Sequence, residues 1–270
     1  MNAGSPEIED AKKIVLGVDI GGTNTKFGFV DRAGECLAGG SMPTESNRPA
    51  DAFFRRLHDE SGLLLQGLRE RCVLAGVGIG APNANYYSGT IEHPPNLEWD
   101  FVDVRAELAK LYRVPSAVTN DANAAALGEM LFGAARGMRD FIVITLGTGL
   151  GSGIVANGAL IYGADGFAGE VGHTTVDPDG RVCGCGRKGC LEAYCSATGL
   201  CRTVQELLCD SMEPSELRRI SYADLTAEMV SDAARRGDAL ARRAFESCGR
   251  VLGMKLADSV AHLSPEAIIL

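Results

Sequence analysis

Along this chain the spacing of apolar residues switches between the two-residue repeat of a strand and the 3.6-residue repeat of a helix, with glycine marking most of the switches. From Lys12 the sequence reads KKIVLGVDIGGTNTKFGFVDRAGE. The apolar run Ile14 to Ile20 meets Gly21-Gly22-Thr23 and resumes as the alternating Lys26 to Val30. This predicts strand, tight turn, strand, and a further turn at 31–34. Phe53, Phe54, Leu57, Leu64 and Leu68 keep helical spacing and predict a helix over 50–71, before a strand over 73–79. Residues 80–101, rich in Gly, Pro and Asn, predict a long loop of the kind that carries function. A short helix over 102–112, a strand over 114–119 and a helix opening after Asn120-Asp121 follow.

A second copy of the opening pattern comes next. FIVITLGTGLGSGIVANG (141–158) is again apolar strand, Gly/Thr turn and apolar strand, with Gly147 lying 126 residues after Gly21. Two such units, each opening its own α/β segment, imply a duplicated architecture with a cleft between halves. Tyr194 to His262 reads as largely helical, broken at Gly237 between helices near 225–236 and 239–262, and stopped by Ser264-Pro265. Ala267 to Leu270 reads as the start of a buried strand. The expected fold class is α/β, with an N-terminal domain over 1–119 and a C-terminal domain over 120–270 that carries a cysteine-rich loop. The last helix and the terminal strand are expected to return toward the N-terminal domain.

Composition removes several classes. Hydrophobic content of 46% and 23% charge exclude a disordered chain, and 270 residues suffice for one large or two smaller domains. A net charge of −9 without a long basic run leaves nucleic-acid and membrane-surface binding without their usual electrostatic support. The polar, acidic start MNAGSPEIEDAKK is neither a signal nor a transit peptide, and no apolar run reaches bilayer-spanning length. Nine cysteines, an odd count without an export signal, read as reduced thiols in a cytoplasmic protein.

The candidate chemistry sits at the turns. Adjacent Gly21 and Gly22 let backbone N–H groups approach an anion, and Thr23 adds a hydroxyl donor; an ordinary glycine-turn hairpin is the alternative. Asp19 ends an apolar strand, where burying a carboxylate is costly unless it serves a metal ion or a donor network. Two glycine hairpins converging from opposite sides suit a polyphosphate, although neither fits a P-loop or a Rossmann turn. Asn96 and Trp99 offer an amide and a ring to a ligand, or Pro94-Pro95-Asn96 simply makes the turn. Asn120 or Asp121 caps the following helix, and Asp121 is equally a base at a strand end. The two roles are compatible, because a helix N-terminus favours the ionised carboxylate. The densest stretch is GEVGHTTVDPDGRVCGCGRKGCLEA (169–193). Cys183, Cys185 and Cys190, with His173 upstream, supply four donors suited to a tetrahedral structural zinc site, though the spacing is not that of a zinc finger. Glu170 and Glu192 bracket the cluster and suit a polyhydroxylated ligand.

Taken together, DIGGTNTK (19–26), PNLEW (95–99), ND (120–121), TLGTGLG (145–151), EVGH (170–173) and CGCGRKGCLE (183–192) resemble the ROK family of sugar kinases, in particular its glucokinases. The resemblance implies two α/β domains of the ribonuclease-H-like, actin-like ATPase type around a deep cleft. By it, Gly21, Gly22, Thr23, Lys26, Gly147, Thr148 and Gly149 would line the ATP phosphates, and Asp19 would lie near Mg²⁺. Asn96, Asn120, Asp121, Glu170, His173 and Glu192 would bind the sugar hydroxyls, with Asp121 as the base. His173, Cys183, Cys185 and Cys190 would hold a structural Zn²⁺. The implied reaction makes glucose 6-phosphate from glucose and ATP in glycolysis, in a homodimer with no nucleic-acid or membrane partner. The family also includes sugar-responsive repressors with a helix-turn-helix before the first glycine hairpin, and only 18 residues precede Asp19 here. In the family the strand opened by 267–270 leads into a glycine turn and helices that help bind adenosine. The chain therefore reads as truncated, which keeps a catalytically impaired sugar-binding paralogue among the readings.

Overall fold

The computed structural model describes residues 11–68 and 72–270. The polar start of the chain and the last three residues of the predicted 50–71 helix lie outside them. Contacts divide the chain into two compact units, one running to Arg136 with Tyr162–Ala168 added, the other made of Gly137–Ile161 and Gly169–Leu270.

The first unit is built on five strands: β1 (Lys12–Ile20), β2 (Asn24–Asp31), β3 (Cys36–Pro43), β4 (Cys72–Ala81) and β7 (Ser116–Asn120), in the order β3-β2-β1-β4-β7. Strands β1 to β3 form an antiparallel meander, and β1, β4 and β7 run parallel. The even positions of β1, Ile14, Leu16, Val18 and Ile20, are buried. They share a core with Phe53, Phe54 and Leu57 of helix α1 (Ala50–Gln66) and with Leu108 of α2 (Val104–Leu111). On the opposite face Gly17 pairs with Gly28 and with Gly78, leaving a trough of about 550 Å³ beside Ala124 and Leu127 of α3 (Asp121–Phe132). The 80–101 loop contains a short hairpin, β5 (Thr90–Glu92) with β6 (Phe101–Asp103).

The second unit repeats the plan. Strands β8 (Phe141–Leu146), β9 (Leu150–Ala156), β10 (Ala159–Leu160) and β11 (Ala267–Ile269) pair in the order β10-β9-β8-β11. Here too an antiparallel hairpin carries a third antiparallel strand on one side and a parallel strand on the other. Ile142, Ile144, Leu150, Leu191 and Leu252 fill one core. A second core joins α5 (Ala197–Asp210), α6 (Ala227–Arg236) and α7 (Ala239–Leu263) through Val204, Val230, Leu240 and Ala244. Gly237 ends α6 in the left-handed region at φ +100°, as the sequence signal required.

Three features depart from expectation. Helix α3 belongs to the first unit, so the division falls after Arg136 rather than after residue 119. Asn120 ends β7 and caps α3 with no intervening loop, and Ala124 lies against Gly80 of β4. Residues 162–168 join the first unit because the Asn85 side-chain amide donates to Asp165 O at 2.7 Å and Tyr162 stacks on Tyr86 at 4.1 Å. The last helix and terminal strand stay with the second unit. β11 pairs with β8, and the Glu266 carboxylate accepts the Arg139 and Asp140 N–H groups at 2.7 and 3.1 Å. Among the described residues no helix is long and apolar enough to cross a membrane.

Candidate functional site

In the first unit the singled-out residues collect where the parallel strands end, the usual place for ligands on such sheets. Gly21 and Gly22 make the β1–β2 turn, with the Gly21 N–H donating to Asn24 O at 3.2 Å. A side chain at Gly22 would strike Asn96 O at 2.7 Å, so glycine is what lets exposed Asn96 lie against the turn. Thr23 is exposed. Behind it, buried Thr44 donates its hydroxyl to Gly21 O at 2.6 Å and its N–H to Thr23 O at 2.9 Å, and shares a 3.0 Å hydroxyl contact with buried Thr25. Neither Thr25 nor Thr44 stood out in the sequence, where a threonine in a strand is ordinary. Asp19 faces Lys26 across the hairpin and both are exposed, so no burial cost needs a metal to explain it. Trp99 is 7% exposed, packs edge-on to Phe53 at 5.1 Å and donates its indole N–H to Arg48 O at 2.9 Å. It is a core residue, and no face of its ring serves a ligand.

Asn120 and Asp121 both act as caps: each accepts from the Ala122 N–H at 2.8 Å. Asp121 still presents exposed surface, although the protein packed around it raises its pKa above the ordinary value. The Ala122 N–H works the other way, and the negative charge of Asp19 adds to the rise. That coupling puts the two carboxylates in one neighbourhood. Thr119 Oγ1 and Asn123 Oδ1, which flank Asn120-Asp121 along the chain, are buried without a well-formed partner. The sheet-face trough reaches this corner, lined there by Asp19, Gly80, Thr119 and Ala124, and a second cavity lies beside α1.

In the second unit the turn Gly147-Thr148-Gly149 is closed by the Gly147 N–H to Gly149 O at 3.0 Å. It is braced by the first turn of α5, where the Ala197 N–H donates to Gly147 O (2.8 Å) and the Thr198 hydroxyl to Thr148 O (3.1 Å). Thr148 is exposed and borders a cavity of about 380 Å³ lined also by Thr198, Tyr222, Leu225 and Thr226. Glu192 opens the short helix α4 (Glu192–Cys195), and its Oε2 accepts the Leu150 N–H at 2.9 Å. Its other oxygen, Oε1, lies 3.5 Å from Cys183 Sγ. Glu170 is exposed and His173 half-buried, on either end of a single 3₁₀ turn.

The knuckle brings one donor atom each from His173, Cys183, Cys185 and Cys190 within 4.8 Å of one another. The His173 Nδ1–Cys183 Sγ and Cys185 Sγ–Cys190 Sγ distances are both 3.7 Å. A tetrahedron with Zn–S bonds of about 2.3 Å has edges of about 3.8 Å, so the donor set fits zinc. Burial pushes the Cys183 thiol up to about 12 and also raises Cys190. Exposed Cys185 falls below the ordinary thiol value because the Arg187 N–H and the other two thiols donate to it, outweighing its partial desolvation. Of the three thiols, Cys185 is thus the one that the protein makes easiest to ionise, and a bound dication would favour the thiolate form of all three. All nine cysteines are free.

The family model described as ROK family matches residues 15–270. The glucokinase of Halalkalibacterium halodurans is 38% identical over 259 residues, 94% of this chain and 78% of that protein. The xylose repressor of Bacillus subtilis is 30% identical over 258 residues, 94% of this chain and 63% of that protein. The crystal structure of a ROK family glucokinase from Streptomyces griseus in complex with glucose and AMPPNP matches with a TM-score of 0.79 at 36% identity, over 94% of this chain and 81% of that chain. The duplicated hairpin sheets are those of the actin-like ATPase fold. With the family model spanning nearly its whole length, the chain belongs to the ROK family.

Proposed function

We propose that the chain transfers the γ-phosphoryl group of ATP to a hydroxyl of a hexose, with glucose as the first candidate and glucose 6-phosphate as product. The observation that carries the reading is Asp121: an accessible carboxylate at a helix N-terminus, with its pKa raised by its surroundings and by Asp19. As a sugar hydroxyl attacks the γ-phosphorus, Asp121 accepts its proton while the bond to the ADP oxygen breaks. Asn96, Asn120, Glu170, His173 and Glu192 hold the sugar hydroxyls, which carboxylates and amides can engage in pairs. The glycine turns at 21–23 and 147–149, with Lys26, cradle the phosphates. The Thr148–Tyr222 cavity suits the adenosine. Asp19 would help hold Mg²⁺, which would supply charge to neutralise the phosphate oxygens. His173, Cys183, Cys185 and Cys190 would hold zinc in a structural role, since four protein ligands would leave no open position for a reacting group. With Nδ1 of His173 toward Cys183, its Nε2 remains to meet the sugar. The support from relatives is that glucokinases match across more than nine-tenths of this chain.

A sugar-responsive DNA-binding reading draws on the xylose repressor match. A gel shift that responds to sugar, with no ADP release from any hexose, would favour it. ADP release from glucose and Mg-ATP, lost in Asp121→Asn, supports the kinase, and a panel of mannose, fructose, allose and N-acetylated amino sugars selects the substrate.

A further inference from the structure

Arg181 stands two residues before Cys183, at the neck of the knuckle. Its carbonyl accepts from the Gly189 N–H at 2.7 Å, and its own N–H donates to the Tyr194 hydroxyl at 3.0 Å. The side chain is only 8% exposed, and every guanidinium N–H has an acceptor. Nε donates to Glu206 Oε1 at 3.1 Å; one terminal nitrogen donates to Ala193 O at 2.9 Å and Gly199 O at 3.2 Å; the other donates to Thr203 Oγ1 at 2.9 Å and to Glu206 Oε2. The guanidinium carbon also sits 4.5 Å from the Tyr194 ring centroid. A buried cation is costly unless paired and fully hydrogen-bonded, and only the planar five-donor fork of arginine can serve this set of acceptors.

The acceptors belong to the two short stretches that carry this unit's site residues. Ala193 follows Glu192, whose carboxylate holds the Leu150 N–H at the start of β9. Gly199 and Thr203 lie in the first two turns of α5, the helix whose Ala197 and Thr198 brace the 147–149 turn. We propose that Arg181 is a positioning residue for both substrates: one buried cation fixes Glu192 for the sugar and the α5 first turn for the nucleotide phosphates. The proposal rests on the kinase reading above. A residue that only stabilised the fold would lower the melting temperature and leave the KM values of the folded enzyme alone.

The test compares the zinc-replete full chain with Arg181→Met and Arg181→Lys, by zinc content and by steady-state kinetics in hexose and in Mg-ATP. Arg181→Met is expected to keep its zinc and to raise both KM values about tenfold or more, with kcat changed less than about threefold, and Arg181→Lys to fall between. Should Arg181→Met fail to fold, Arg181→Ala with millimolar guanidinium replaces it, and recovery of both KM values by the free cation supports the clamp. A folded variant with both KM values unchanged, or with only one raised, overturns it, as does an Arg181→Ala that guanidinium does not rescue. If the parent chain phosphorylates no hexose, the kinase reading fails instead. The clamp then stands or falls on whether Arg181→Met weakens the binding of glucose and of Mg-AMPPNP together.

Discussion

The pKa of Asp121 is set by opposing influences that can be separated. The Ala122 N–H favours its charged form, while burial and the Asp19 charge disfavour it and prevail, so its pKa lies above the ordinary 3.8. In the proposed role of base Asp121 would work only when ionised, so kcat/KM should fall as pH drops through that raised value. A pH–rate profile should therefore show its acid limb shifted upward from that of an unperturbed aspartate. The same sign bears on stability. A carboxyl whose folded pKa is raised favours folding below its unfolded pKa, and that benefit is lost as pH rises through the folded value. Asp121→Asn should therefore melt no lower than the parent at pH 7 while losing about 10²–10⁴ in kcat; a clear fall in melting temperature would show that the charge is structural. Gly149 sets a second constraint. A Cβ there would lie 2.4 Å from Glu192 Oε2, so the Glu192 carboxylate would have to move. Gly149→Ala should displace Glu192 and raise the sugar KM; an unchanged KM would remove Glu192 from the sugar site.

The two hairpins and the knuckle were legible in the sequence because their signals are local. Apolar runs broken by glycine and threonine can form little else than strand, turn, strand, and three cysteines close in sequence to a histidine are readily folded into one cluster of donors. The missed elements lack that local signature. Strand β3, Cys36–Pro43, carries Gly39 and Gly40 and no clean alternation; it is fixed by its ladder to β2. Thr25, Thr44 and Arg181 matter through hydrogen bonds to residues 19 or more positions away or through burial, neither of which a window of sequence reveals. The knuckle's contribution is testable apart from the rest, because the chain's single tryptophan, Trp99, is buried in the first unit's core. Zinc removal by a chelator should lower the helical signal and melting temperature of the second unit while Trp99 fluorescence stays native. Simultaneous loss of both signals would mean that the units do not unfold separately, and no loss in either would mean that the cluster is only a tight loop.

Taken as one chain, the two units share a topology that the repeated Gly/Thr hairpin announced: β3-β2-β1-β4 in one and β10-β9-β8-β11 in the other. Their boundary was less legible, since a helix that starts directly at a strand end looks from its sequence like the opening of a new domain, although α3 packs back on β4 and β7. Each unit contributes a glycine turn, and each carries some of the residues proposed for the sugar. Activity is thus expected to need both, with the chemistry concentrated on Asp121 in the first. The most direct test is ADP release by the full chain with glucose and Mg-ATP, run beside Asp121→Asn with glucose binding measured on the same preparations. Turnover is expected from the parent, and from the variant glucose binding with no ADP release above background. Undiminished turnover by Asp121→Asn would contradict that expectation.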